Sequence, residues 1–199
     1  TLKVGDVAGG QELHTLTGHT GWVAAVALTP DGRLAVSASG DNTLKVWDVA
    51  SGQELHTLVG HSSWVAAVAL TPDGRLAVSG SQGTLKVWDV GSGRELHTLA
   101  GHTDAVAAVA LTPDGRMAVS GSWDATLKVW DVASGQELRT LAGHKDRVIA
   151  VALTLDGRLA ISQSRDERLK VWDVASGQEL PTLAGHNREI TAVALMPDG

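Results

Sequence analysis

The sequence predicts an all-β fold of four-stranded antiparallel sheets, one per repeat, and three observations carry that prediction. The first is periodicity. Gly18–His19 returns as Gly60–His61, Gly101–His102, Gly143–His144 and Gly185–His186, and Trp47–Asp48 returns as Trp88–Asp89, Trp130–Asp131 and Trp172–Asp173. The spacing is 42 residues, falling to 41 in the second unit, and a repeat this long and regular specifies stacked supersecondary units. The second observation is that each unit splits into four short runs rich in Val, Ala and Leu, too short and too often broken by Gly for helices. The third is the recurring reverse-turn signal Pro-Asp-Gly, whose residues supply the dihedral angles that a tight turn needs.

Each unit then reads in order. In the unit that opens at Gly18, the first run is 23–28, closed by Pro30-Asp31-Gly32. The second is 34–39, closed by Gly40-Asp41-Asn42; the third is 43–49, closed by Ala50-Ser51-Gly52; the fourth is 54–58. Runs of this length bounded by Gly, Pro, Asp and Ser are strands. Leu44 and Val46 share one face and Thr43, Lys45 and Trp47 the other, whereas the first run is apolar on both faces, as an inner strand is. One such sheet has too little partner surface to bury itself, so successive sheets stack radially as a β-propeller. With seven Trp and no Phe or Tyr, the core is expected to be thin layers of Ala, Val and Leu around a few Trp anchors.

Gly-His, Pro-Asp-Gly, Ser-x-Ser-x-Asp and Trp-Asp at this period closely resemble the WD40 repeat family over essentially the whole chain. The resemblance implies a WD40-type propeller with complete repeats at 18–59, 60–100, 101–142 and 143–184, the third and fourth strands of an opening blade in 1–17, and the first strand of a further repeat in 185–199. It also implies a buried hydrogen-bonded network in each blade. The first blade would use His19, Ser37 (or Ser39, on the same face), Asp41 and Trp47; the third His102, Ser120, Asp124 and Trp130; the fourth His144, Ser162, Asp166 and Trp172. The second has His61, Ser79 and Trp88 but reads Ser81-Gln82-Gly83-Thr84 where the Asp is expected. That blade is expected to be locally weaker or to hold a water in place of the carboxylate. Leu155 replaces the turn proline in the fourth unit, a modest loosening, and Gly5 stands in the Trp position of the opening fragment. In a packed blade, that lost side chain would cost roughly 3–5 kcal/mol. Closure with five blades would leave no second strand between 190–195 and 2–7, exposing unpaired backbone. Since family rings most often have seven blades, the chain is expected to be an incomplete portion of a larger, about seven-bladed ring. Near-identical units also carry a hazard of domain swapping.

Candidate chemistry is sparse. The five Gly-His histidines lie on successive blades instead of converging, whereas four-coordinate zinc needs ligands about 2 Å from one ion; no metal, cofactor or catalytic constellation is expected. His14, His56 and His97 on the outer strand are expected in solvent. No cysteine means no disulfide framework. The net charge of −6 argues against nucleic acid, and the longest apolar run is too short to span a bilayer. With no visible signal peptide, the expected location is cytoplasmic.

The informative positions vary while the scaffold stays fixed. Before the inner strand stand Trp22, Trp64, Ala105, Arg147 and Glu189; before the turn Asp or its place stand Gly40, Gln82, Trp123 and Arg165. In the WD40 family such positions line the top face, where partners dock. The resemblance therefore implies a non-enzymatic scaffold for a protein or peptide, with Trp22, Trp64 and Trp123 as apolar anchors and Arg147 and Arg165 meeting acidic groups. Near-identical repeats of this kind resemble those appended to large bacterial or cyanobacterial multidomain proteins, where the propeller would be the sensing or regulatory module of a signalling protein. Two alternatives stand beside this: a recently amplified or engineered array whose role is folding and self-association through incomplete blades, and a lectin-like binder using Trp platforms.

Overall fold

The computed structural model describes residues 1–6 and 9–181, and these contain seventeen β-strands and no helix. The expected repeat opening at 185–199, with His186, Arg188, Glu189 and the strand over 190–195, lies outside the described residues. At the N-terminal side β1 (Leu2–Gly5) pairs antiparallel with β2 (Glu12–Leu16). The first complete blade is β3 (Val23–Leu28), β4 (Leu34–Ser39), β5 (Thr43–Asp48) and β6 (Glu54–Val59), adjacent in that order. The second is β7 (Ala67–Leu70), β8 (Leu76–Gly80), β9 (Gln82–Asp89) and the first part of β10 (Arg94–Leu111). The rest of β10 opens the third, with β11 (Met117–Ser122), β12 (Thr126–Asp131) and β13 (Glu137–Ala142). The fourth is β14 (Val148–Leu153), β15 (Leu159–Ser164), β16 (Leu169–Asp173) and β17 (Glu179–Leu180).

The continuity of β10 corrects the expectation of separate strands at the junction of the second and third units. Its cause is the shortened turn. In the first blade Asn42 takes φ 69° and its N–H bonds Ser39 O at 3.3 Å. In the second, the Ser81 N–H bonds Thr84 O at 2.9 Å across Gln82 and Gly83, and Gly83 (φ 68°) takes the left-handed position. Gln82 then pairs with Ala105, which carries the ladder on from Thr84↔Ala100 across the loop and joins seven strands in one sheet.

The faces that meet between neighbouring blades are buried, because period-two alternation sends Trp one way and Leu/Val the other. Leu44, Val46 and Leu58 pack on Val65, Ala77, Trp88 and Val90 of the second blade. Trp47 faces the opposite way, with Ala35, against Leu2, Val4 and Leu16 of the β1–β2 sheet. The same joint recurs between the second and third blades around Trp130 and between the third and fourth around Trp172. Gly5 ends β1 exposed, opposite Glu12, and an added Cβ would meet only Gln11 O at 3.5 Å. It is therefore not a cavity in a packed core.

Each Pro-Asp-Gly turn is fastened by a threonine. Thr29 Oγ1 donates to Asp31 Oδ1 at 2.6 Å and accepts the Leu34 N–H at 3.0 Å. The Leu155 turn keeps the same bonds, Thr154 to Asp156 at 2.6 Å and Leu159 N–H to Thr154 at 3.0 Å, so the expected loosening does not reach them.

The outer-strand histidines are not in free solvent, which corrects the sequence reading. His14 Nε2–H donates to Ala50 O at 2.8 Å and His56 Nε2–H to Gly91 O at 3.0 Å, each reaching from one sheet to the next. Their rings lie on Gly52 and Gly93 (both φ 70°), where an added Cβ would meet them at 2.9 and 3.0 Å. His97 and Arg139 cover Gly135 and Gly177 in the same manner. Each of these two hydrogen bonds contributes about 1 kcal/mol.

Candidate recognition surface

The loops at the Gly-His end are held by the buried networks. Trp47 Nε1–H donates to Ser37 Oγ at 2.8 Å; Ser37 Oγ lies 2.7 Å from His19 Nε2; His19 Nδ1 lies 2.8 Å from Asp41 Oδ2. A carboxylate only accepts, so His19 carries its proton on Nδ1, and Nε2 accepts the Ser37 hydroxyl. Ser37 is thus the serine of the network, whereas Ser39 accepts the Asp41 N–H at 3.2 Å. His102, Ser120, Asp124 and Trp130 repeat the chain at 2.8 Å throughout. His144, Ser162, Asp166 and Trp172 repeat it at 2.8–2.9 Å. Burial alone would raise the Asp41 carboxyl, but hydrogen bonds from Thr43, His19 and the Thr20 N–H together hold it far below the usual carboxylate range. Burial lowers His102 and His144, against the opposing pull of Asp124 and Asp166.

The second blade lacks the last link. His61 Nε2 lies 2.7 Å from Ser79 Oγ, which also accepts Trp88 Nε1–H at 2.8 Å, but the buried His61 Nδ1 has no partner. With burial dominant, Lys86 adding to it and only Glu95 pulling the other way, His61 falls to about 4.

A second cluster in each blade escaped the sequence reading. Lys45 Nζ bonds Glu54 at 2.8 Å and Thr57 Oγ1 at 2.8 Å beneath Gly18, and Lys86, Lys128 and Lys170 pair with Glu95, Glu137 and Glu179 in the same way. An added Cβ at Gly18 would meet the Glu54 carboxylate at 2.8 Å and Trp47 at 3.2 Å. In the described Gly-His pairs, the glycine (Gly18, Gly60, Gly101 and Gly143) is what lets this cluster close. Spacing could have shown it: Lys at position 45 and Glu nine residues on recur in every unit.

On this framework the variable side chains form a row. Trp22 and Trp64 have ring centroids 5.6 Å apart at 41°, Trp64 and Trp123 5.8 Å apart at 53°, and the Arg147 guanidinium sits 4.4 Å over the Trp123 ring. Trp22 is 59% exposed; Trp64, Trp123 and Arg147 are half-buried. Hydrogen bonds from Gly40 N–H to Trp22 O (2.8 Å), Trp123 N–H to Ala105 O (2.8 Å) and Arg165 N–H to Arg147 O (2.9 Å) show that the two variable positions of a blade are backbone neighbours. In the first and third blades, where one carries Trp, the other is small. A methyl group on Gly40 would collide with the Trp22 ring, and Ala105 leaves room beside Trp123. In the second blade Gln82 turns aside and donates to Asp104 at 3.1 Å. Lys145, Arg147, Arg165 and Arg168 gather in the fourth blade, and among the described residues none of them forms an ion pair. The strip runs from aromatic to cationic.

Repeated sheets, stacked through Trp-centred joints and carrying variable loops at one end, define a repeat-built β-propeller protein. The WD40 model (WD domain, G-beta repeat) matches residues 10–48, 52–89, 93–131 and 135–173, and the chain belongs to that family. Each match runs from the outer strand of one sheet to the Trp-Asp of the next, so the sequence unit straddles two structural blades. Repeats of this family generally mediate protein–protein interaction and are typically scaffolds, not enzymes. Among curated proteins none matches the chain. No helix among the described residues is long and apolar enough to cross a membrane.

Proposed function

We propose that the chain is a non-catalytic recognition module that binds a protein or peptide segment along Trp22, Trp64 and Trp123, with Arg147 and Arg165 receiving an acidic group. The carrying observation is the contiguous row of three indoles and a guanidinium across four blades. Trp and Arg dominate binding hot spots, and stacking on Trp123 pre-orients the Arg147 fork for a carboxylate while leaving its edges free. On this reading the module serves a sensing or regulatory role in a larger signalling protein of the cytoplasm, a compartment in which the absence of cysteine carries no penalty.

The test is selection of peptides from a random display library on the wild-type chain, followed by affinity measurement on variants. Trp64→Ala is expected to weaken the selected peptides by roughly 30-fold, as loss of a hot spot of about 2 kcal/mol does. Arg165→Glu is expected to weaken acidic peptides selectively. Binders indifferent to both substitutions would refute the reading.

Self-association is a second reading, favoured by one observation. Val26 and Leu28 on the front of β3 are 45% and 58% exposed, whereas Val68 and Leu70, at the same places in β7, pack against the first blade. Light scattering that shows mass rising with concentration, and falling back in Leu28→Asp, would support it.

A further inference from the structure

The second blade differs from its sisters by one deleted residue, and the deletion removes a carboxylate while keeping the groups that bind one. In the first, third and fourth blades the Asp Oδ2 sits 2.8–2.9 Å from the His Nδ1 and 2.9–3.0 Å from the backbone N–H of the residue after that histidine. In the first and third a threonine hydroxyl also donates to Oδ1, at 2.6 Å. The second blade keeps the histidine (His61), the following N–H (Ser62) and the threonine (Thr84), but its turn passes from Gln82 to Gly83 with no acid between. His61 is 7% exposed and its Nδ1 is unpaired.

We propose that the second blade binds a carboxylate group at His61 Nδ1, the Ser62 N–H and Thr84, in the position that Asp41, Asp124 and Asp166 fill in the other blades. The ligand class is a small monocarboxylate or the side chain of an Asp or Glu presented to the loop. A buried ring nitrogen left unpaired raises the free energy of the folded chain, and a bound carboxylate removes that penalty. It also fixes the His61 proton on Nδ1, as in the sister networks, and lets Nε2 accept from Ser79. The carboxylates of the sister blades are 7–9% exposed on their side chains, one layer below solvent. A small acid reaches that depth through local opening of the 81–84 turn, an ordinary event for a surface loop. The exposed Ser62 and Gln82 flank the approach.

Formate is the probe, titrated against chloride at equal ionic strength and neutral pH. The readouts are the His61 ring nitrogen resonances and the melting temperature. A saturable shift confined to His61, together with a melting temperature raised by formate over chloride, is the expected result. A variant with Asp inserted between Gln82 and Gly83 supplies the carboxylate from the chain and is expected to show neither response. His61→Gln is expected to lose the melting response while the His102 and His144 resonances stay in place. No saturable shift at His61, or an equal response in the Asp-inserted variant, overturns the proposal. N-acetyl-aspartate N-methylamide separates the sources: a response like that of formate assigns the site to a presented side chain, and a response to formate alone assigns it to a small free acid. Trp64→Ala is expected to keep the formate response, so the outcome is independent of the aromatic row.

Discussion

Trp130→Ala is expected to destabilise the chain by about 3–5 kcal/mol, the range for deleting a large buried aromatic. Trp130 is 1% exposed and packs with Val78, Leu85, Val87 and Leu99 of the second blade as well as Ala118 and Val132 of its own. Its loss opens a cavity at a joint between sheets and removes the indole N–H bonded to Ser120 at 2.8 Å. Trp22→Ala supplies the contrast. That ring is 59% exposed and caps no core, so its removal is expected to change stability by less than about 1 kcal/mol. Urea unfolding of the two variants beside the wild-type chain checks both. Similar midpoints for Trp22→Ala and Trp130→Ala would refute the division of the tryptophans into joint-forming and surface-forming sets.

Stability is expected to fall as pH drops from about 6.5 to about 4, before most carboxylates titrate. The sign follows from proton counts. His61, His102 and His144 are all held below the ordinary histidine value of about 6.5, chiefly by burial. Between that value and the folded one, the unfolded chain binds more protons than the folded chain, and acid favours unfolding. The groups facing His61 are Lys86, which lowers it further, and Glu95, which raises it. A shift from 6.5 to about 4 for His61 corresponds to roughly 3 kcal/mol lost across that window. Below it, Asp41, Asp124 and Asp166, depressed by their hydrogen bonds despite burial, lose their contributions as pH falls through their folded values. Urea midpoints across this range test the slope, with His61→Gln expected to flatten it more than any single change in the other blades. A midpoint constant from pH 7 to 4 would contradict it.

The fold was legible because its causes are local and repeated. Pro-Asp-Gly, the alternation of Leu44, Val46 and Trp47, and the Gly-His spacing each act within one unit, and together they specify strands, turns and the His–Ser–Asp–Trp chemistry. What the sequence hid was contact between units. Trp22, Trp64 and Trp123 occupy two different sequence positions, and it is backbone bonds such as that from Trp123 to Ala105 that show those positions to be neighbours. The outer-strand histidines looked solvated because their acceptors, Ala50 O and Gly91 O, lie 36 and 35 residues downstream on the adjoining sheet. The fusion through β10 was hidden for another reason: one deleted residue changes the turn's hydrogen bonding, and pairing register is a property of two strands, not of either alone.

The pairing of the two variable positions has a consequence for how such a surface changes over time. Trp22 faces a glycine and Trp123 an alanine, so the first and third blades each offer two addresses for a single bulky group, whereas the second carries Trp64 with Gln82 and the fourth Arg147 with Arg165. A ring can migrate from one address to the other through an intermediate bearing two small residues, without disturbing Ser37, Ser120 or any strand beneath. Surface and architecture are thereby written in separate registers of the same repeat. Duplication copies the architecture, and substitutions at two addresses per copy compose the surface like interchangeable type in a fixed frame.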